Sequence, residues 1–359
     1  MPTQSKTDRS IRLTTVDALV SANLLEETGS SNLQEVASRY SISIPQHFAS
    51  LIDASNPDDP IALQVIPTGQ ELSTTADEIV DPIGDHLYSP VKGVVHRYPD
   101  RVLLKVHSAC AVYCRFCFRR EMVGPSGDSM DEADFNVAFD YIASRPEIWE
   151  VILTGGDPFV LSPKRLDRIL TRLETIDHVR VIRFHTRVPV AEPDRLNDAL
   201  IRVLNNRRQT IYVAIHCNHA RELSEAAIIA CNLLTSAGIP LLGQSVLLRG
   251  VNDDAATLAS LFRAMVAVRI MPYYLHHPDL APGTSHFRVA ISEGQALIKQ
   301  LRGNLSGIAL PTYMLDIPGG FGKVPIGPTY LKIDQDGQTR VEDTNGQQHI
   351  YPPSSHSKS

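Results

Sequence analysis

The sequence lacks the features that would mark a membrane, secreted or nucleic-acid-binding protein. No apolar run is long enough to cross a bilayer. The first fifteen residues have no apolar core of the kind a signal peptide needs. Positive charge is in deficit: 34 Lys and Arg stand against 40 Asp and Glu, a formal net charge of −6. That leaves no polybasic footprint for nucleic acid or an anionic membrane. Cysteine is scarce and odd in number, five in 359 residues, which does not read as a disulfide framework. These absences predict a soluble protein of a reducing cytoplasm. The rest of the composition, 43% hydrophobic and 21% charged, is ordinary for a globular chain with a large core.

Residues 1–95 form a region of their own. Apolar spacing predicts short helices over Thr15–Leu25 and Asn32–Tyr40. Pro57, Pro60, Pro67, Pro82 and Pro90 then break the chain into irregular linker. From residue 96 to 302 the texture changes. β-rich runs at Val102–Val106, Val151–Thr154, Val179–His185, Thr210–His216, Leu241–Leu247 and Ile270–Leu275 each precede a helix-length amphipathic stretch. Those stretches are Asp131–Ser144, Pro163–Glu174, Pro193–Asn205, Glu222–Ala237, Asp254–Ala267 and Val289–Leu301. Six βα units in a row predict an α/β fold, a partial (β/α)6-type barrel, with an open doubly wound sheet as the other possibility. Either way, chemistry belongs on the loops after the strands' C-terminal ends. Residues 303–335 are rich in Gly and Pro, and the polar tail, 336–359, is expected to fray.

Three of the five cysteines crowd into eight positions, as Cys110-x3-Cys114-x2-Cys117 on the first βα loop. Three thiolates so close can wrap one soft metal centre. On a four-iron cluster they would leave one iron open for a small chelating molecule. A zinc site would want a fourth ligand, for which His107 is the only local candidate. This spacing resembles the radical S-adenosylmethionine (SAM) superfamily. The resemblance implies a [4Fe–4S] cluster that chelates SAM and, once reduced by an external one-electron donor, cleaves it to a hydrogen-abstracting deoxyadenosyl radical. Thr154-Gly155-Gly156-Asp157, closing the second strand, looks like the family's motif for the SAM amino group. The glycines would let backbone approach a ligand and Asp157 could accept from an ammonium. At the end of the fourth strand, His216-Cys217-Asn218-His219 could suggest a metal, but adjacent strand residues point in opposite directions. His216 and Asn218 therefore read as cofactor-facing groups, as does Gln244 in the fifth strand. Cys217 and Cys231 read as small core residues.

A second constellation is Pro318-Gly319-Gly320-Phe321-Gly322-Lys323. A phosphate loop is excluded, because that motif needs Gly six before the Lys and Ser or Thr after it, where Ile317 and Val324 stand. A lysine on a flexible loop suits a Schiff base with pyridoxal phosphate (PLP). With Arg97-Tyr98-Pro99-Asp100-Arg101, the cysteine loop carrying Arg119-Arg120, Gln244–Asp253, and Pro272-Tyr273-Tyr274 through Arg288, the chain resembles the lysine 2,3-aminomutase family over roughly two-thirds of its length. The resemblance implies that Lys323 holds PLP and that Arg97, Tyr98 and Arg101 anchor its phosphate. It places the substrate α-carboxylate on Arg119 and the ε-ammonium on Asp279 and Asp316. The implied reaction moves the amino group of L-lysine from C2 to C3, giving β-lysine.

Phe321 interrupts the family's run of glycines. The C-terminal zinc-binding cysteines of the long members are missing, and Asp254 stands where their remote partner would be, so no zinc is expected. A homo-oligomer is compatible with the resemblance, and the short length resembles bacterial relatives that make β-lysine for elongation factor P. Competing readings are an aminomutase for arginine or glutamate and a non-catalytic iron–sulfur or PLP-binding protein. Two carboxylates disfavour glutamate by like-charge repulsion.

Overall fold

A computed structural model describes residues 12–26, 30–124, 127 and 129–353. The terminal Ser-Ser-His-Ser-Lys-Ser, included in the tail expected to fray, lies outside them, as do the first eleven residues. The N-terminal region pairs β1 (Arg12–Leu13) with β2 (Ile44–Pro45) around two short helices, Val16–Ser21 and Ser30–Arg39. Residues 50–93 are irregular apart from 3-10 turns at Ala62–Gln64 and Gly69–Leu72, as the prolines require.

The core is one nine-stranded sheet among the described residues. Its strands are β3 (Val94–Tyr98), β4 (Arg101–His107), β5 (Glu150–Gly155), β6 (Val181–Thr186), β7 (Thr210–His216), β8 (Leu241–Val246), β9 (Ile270–His276), β10 (Thr312–Ile317) and β11 (Gly322–Pro325), hydrogen-bonded in sequence order. Strands β4 to β10 run parallel, and β3 and β11 are antiparallel edges. The six expected strands are β4 to β9, each within two residues of its expected start. The parallel strand β10 and its antiparallel partner β11 add to them within the Gly- and Pro-rich stretch. The two edges are joined by side chains rather than by a backbone ladder, so the sheet is a split barrel.

Strand β4 shows how the wall is made. Val102, Leu104 and Val106 are buried, while Arg101, Leu103, Lys105 and His107 alternate with them as half-buried residues. Helix Pro163–Glu174 shows the outer layer. Ser162 caps it by accepting from the N–H of Arg165, Pro163 opens it, and Leu166, Ile169, Leu170 and Leu173 bury one stripe. Each such side chain contributes roughly 1.5–3 kcal/mol on burial.

Three expected helices are shorter than the periodicity implied, that over Thr15–Leu25 stopping at Ser21. Pro193–Asn205 resolves into a 3-10 turn, Pro193–Arg195, and a helix, Asp198–Leu204. The Asn197 side chain accepts from the N–H groups of Ala199 and Leu200 and restarts the helix there. The helix expected from Glu222 begins at Glu225, because the Glu222 carboxylate instead accepts from the N–H groups of Asn218 and His219. The chain after Asp336, expected to fray, instead joins a three-stranded antiparallel sheet of β12 (Leu331–Ile333), β13 (Thr339–Glu342) and β14 (Gln348–Tyr351). Turns at Gly337 and Gly346, both with positive φ, join its strands. Among the described residues no helix is long and apolar enough to cross a membrane.

Candidate functional site

The cysteine loop leaves the C-terminal end of β4, and the N-terminal region braces it from behind. Tyr113 N–H donates to the Ser43 carbonyl at 3.1 Å, and Arg115 N–H to the Gln64 carbonyl at 2.8 Å. The buried Arg115 guanidinium grips Glu71 through Nε at 3.0 Å, and Arg120 reaches the same carboxylate. These charge-assisted bonds fix the loop through one arginine between the second and third cysteines and one just after the third. Cys110, Cys114 and Cys117 are free thiols. Burial raises Cys110 well above the ordinary thiol range, helped by Asp157 and the other two thiols. Burial and Cys114 push Cys117 up to about 11. Burial holds the Cys110 and Cys117 thiols in their neutral form, so a cationic metal in the pocket would favour their ionisation, which suits iron. Arg187 Nη1 lies 2.8 Å from Cys114 Sγ, and its other end is held by Gln64 at 2.6 Å and Glu222 at 2.8 Å. Among the described residues no three His, Cys, Asp or Glu side chains converge as a single-ion site. A four-iron cluster is larger than an ion, so its thiolates need not meet at a point. Cys217 and Cys231 are buried in the core.

The Gly155-Gly156-Asp157 turn packs directly on this loop. Gly156 N–H donates to the His107 carbonyl at 2.5 Å and Asp157 N–H to the Ala109 carbonyl at 2.9 Å. Gly155 takes φ +104°, and a Cβ on Gly156 would collide with the Ala109 carbonyl. Asp157 is tied into the fold by its side chain. Its buried carboxylate already accepts from Thr186 Oγ1 at 2.7 Å, Arg187 N–H at 2.7 Å and Phe159 N–H at 3.0 Å. It clamps the β5 and β6 loops together. The Asn218 amide donates to Gln64 at 3.0 Å and accepts from Val246 N–H at 2.9 Å. It ties the β7 and β8 ends to the N-terminal region.

His216 and Gln244 pair in register across β7 and β8. The His216 ring stacks on Phe116 of the cysteine loop, with centroids 5.5 Å apart, and its buried Nε2 has no partner. Burial and Arg187 push its pKa down to about 3, so the ring is neutral. A neutral imidazole with an orphaned nitrogen beside the thiols fits a bound polar molecule such as SAM.

Lys323 lies at the seam. Its Nζ sits 2.5 Å from the buried Asp316 carboxylate, its register partner on β10. Asp316 also accepts from Arg97 Nη1 at 2.9 Å. The Tyr98 hydroxyl accepts from Lys323 N–H at 2.7 Å, and the Arg101 guanidinium lies over the Tyr98 ring at 3.8 Å. Arg97 Nε is a buried donor with no acceptor. An amine, two guanidiniums and an orphaned donor fit a PLP aldehyde and phosphate. Burial pushes the Asp279 carboxyl up to about 7, opposed by Lys323, reinforced by Asp316 and opposed again by Arg119 and Arg97. Five charged residues expected at one site therefore act on one another. Phe321 does not disturb the loop, because its side chain is 77% exposed while Gly319, Gly320 and Gly322 make the turn with positive φ. Asp254 caps helix Ala255–Ala267 by accepting from Thr257 N–H at 2.9 Å.

Sequence reasoning missed Asp85, which holds Arg119 at 2.8 Å, because a single acidic residue in a Pro-rich linker carries no signal. It also missed His185 and His276. Burial lowers the pKa of both well below the ordinary range, with Lys323 among the cations adding to the effect. Their placement one residue before or at a strand's end was the available clue.

A radical SAM superfamily model matches residues 104–262, spanning the cysteine loop, and a lysine-2,3-aminomutase model matches residues 298–355, spanning Lys323. The L-lysine 2,3-aminomutase of Clostridium subterminale is 39% identical over 89% of this chain and 77% of its own length. That of Acetoanaerobium sticklandii is 41% identical over 81% and 70%. A glutamate 2,3-aminomutase from Clostridioides difficile is 36% identical over 89% and 75%. With the radical SAM match come a [4Fe–4S] cluster and SAM as cofactors. The chain belongs to the 2,3-aminomutase family of radical SAM isomerases.

Proposed function

We propose that this enzyme converts L-lysine to β-lysine by 2,3-migration of the amino group, with PLP on Lys323. The observation that carries the reading is the electrostatic grouping of Asp279 and Asp316 with Lys323 and Arg119. Two carboxylates suit a substrate with a cationic side chain and oppose glutamate.

Cys110, Cys114 and Cys117 would hold the cluster, while Gly155, Gly156, His216 and Gln244 would line the SAM side. When bound, the cluster and SAM supply a hydrogen-abstracting radical, and PLP supplies the carbonyl and the conjugated ring that let nitrogen move. Arg119 binds the substrate α-carboxylate, and Asp279 and Asp316 take its ε-ammonium. Arg97, Tyr98 and Arg101 hold the PLP phosphate, with Arg97 shared between it and Asp316. Buried walls exclude water from the reacting carbons. A one-electron donor from outside the chain is needed. The test is anaerobic turnover of lysine, arginine and glutamate by reconstituted protein. Preference for lysine supports the reading, and preference for glutamate overturns it.

A further inference from the structure

Asp85 belongs to none of the motifs that carry the family likeness, yet it is completely buried at the substrate end of the barrel. Its Oδ2 accepts from Arg119 Nε at 2.9 Å and lies 2.8 Å from Arg119 Nη2. Its Oδ1 has no hydrogen-bond partner and lies 3.8 Å from Arg97 Nη2. Burial works against its charge, but Arg119, Lys105 and Arg97 outweigh it and keep the carboxyl ionised.

The turn that carries Asp85 is built for this position. The Asp81 carboxylate accepts from the N–H groups of Asp85 and His86, both at 2.8 Å. Gly84 takes φ +68°, and a Cβ there would lie 2.8 Å from Gly320 Cα. Gly319 N–H donates to the Pro82 carbonyl at 3.1 Å. The turn thus touches the Lys323 loop with its backbone and Arg119 with its side chain.

A guanidinium offers five donors in a rigid fork. Asp85 engages the Nε side of Arg119 and leaves Nη1 for a ligand. It also places a negative charge between Arg119 and Arg97, which would otherwise repel one another. We propose that Asp85 is a positioning residue for substrate recognition: it fixes the rotation of the Arg119 fork, so that the substrate carboxylate is met at Nη1 in one orientation. The inference rests on the reading in which Arg119 binds that carboxylate. Misorientation of a bound substrate costs turnover more than affinity, by about 10²-fold where reacting atoms are displaced by an ångström.

The experiment is a double-mutant cycle on PLP-loaded protein, with L-lysine affinity measured by calorimetry in the absence of SAM and turnover measured separately. Asp85→Asn should lower turnover at least tenfold while lysine affinity stays within about threefold. Arg119→Gln should lower affinity itself, for L-lysine but not for cadaverine, which lacks the carboxylate. In the Arg119→Gln background, Asp85→Asn should add no further loss of turnover. Arg119→Lys, which keeps the charge but not the fork, should bind lysine and turn it over poorly. This variant decides the question if Asp85→Asn fails to fold. Wild-type turnover in Asp85→Asn or Arg119→Lys, or an equal loss from Asp85→Asn with and without Arg119, would overturn the inference alone. Unchanged lysine affinity in Arg119→Gln would overturn the carboxylate reading and this inference with it.

Discussion

The hydroxyl of Tyr98 accepts the backbone N–H of Lys323 at 2.7 Å, across 225 positions of sequence. Tyr98 ends one edge strand of the sheet, and Lys323 sits in the other. With the Arg97–Asp316 ion pair, this bond closes the split barrel at the point where Lys323 is presented.

Tyr98→Phe should therefore loosen the lysine loop without unfolding the barrel. Loss of one such hydrogen bond is worth about 1 kcal/mol, a factor of roughly five in affinity. The expected outcome is PLP affinity weakened by about that factor, read by equilibrium dialysis, with the melting temperature nearly unchanged. Unaltered PLP affinity would show that the seam does not hold the loop.

Borohydride treatment of PLP-loaded protein should fix pyridoxyl mass on the peptide containing Lys323. In Lys323→Ala the fixed mass should vanish and turnover should be lost. A label found on Lys105, the half-buried lysine of β4 whose charge acts on Asp85, would reassign the site.

Cys114→Ala should lose the brown iron–sulfur absorbance and all deoxyadenosine formation. Arg187 Nη1 lies 2.8 Å from Cys114 Sγ, so Arg187→Gln should bind iron more weakly, measured by iron analysis after gel filtration. A normal four-iron content in Cys114→Ala would contradict the three-cysteine assignment.

Lysine binding should depend on pH through Asp279. Its carboxyl is pushed up to about 7 by burial, so below that pH it is largely neutral and pairs poorly with an ammonium. Bound ε-ammonium favours the ionised form, so binding releases a proton and affinity rises as pH increases from 6 to 8. His216 is held neutral throughout, with a pKa pushed down to about 3. Calorimetry in buffers of different ionisation enthalpy measures the proton release. It should disappear in Asp279→Asn; persistence there would place the titration elsewhere.

How much of this was legible in the sequence differs by residue. The strands β4 to β9 announce themselves because β-branched runs alternate with helix-length amphipathic stretches. Strand β10 does not, because Thr312–Ile317 lies between Pro311 and Pro318 and its partner β11 is only four residues long. The cysteine spacing and Lys323 carry chemistry in local sequence. Asp157 and Asn218 suit a ligand by residue type, and only the fold shows the hydrogen bonds from distant chain that engage them. Arg97–Asp316 and Arg119–Asp85 join positions far apart in the chain, and no local pattern encodes such pairings.

The most direct test of the proposed reaction follows the migrating nitrogen. Protein reconstituted anaerobically with iron, sulfide and PLP would receive SAM, a one-electron reductant and L-lysine labelled with 15N at the α position. The account predicts β-lysine carrying the label on C3, formed faster than any product from arginine or glutamate. Product with the label still on C2, or faster conversion of glutamate than of lysine, would contradict it.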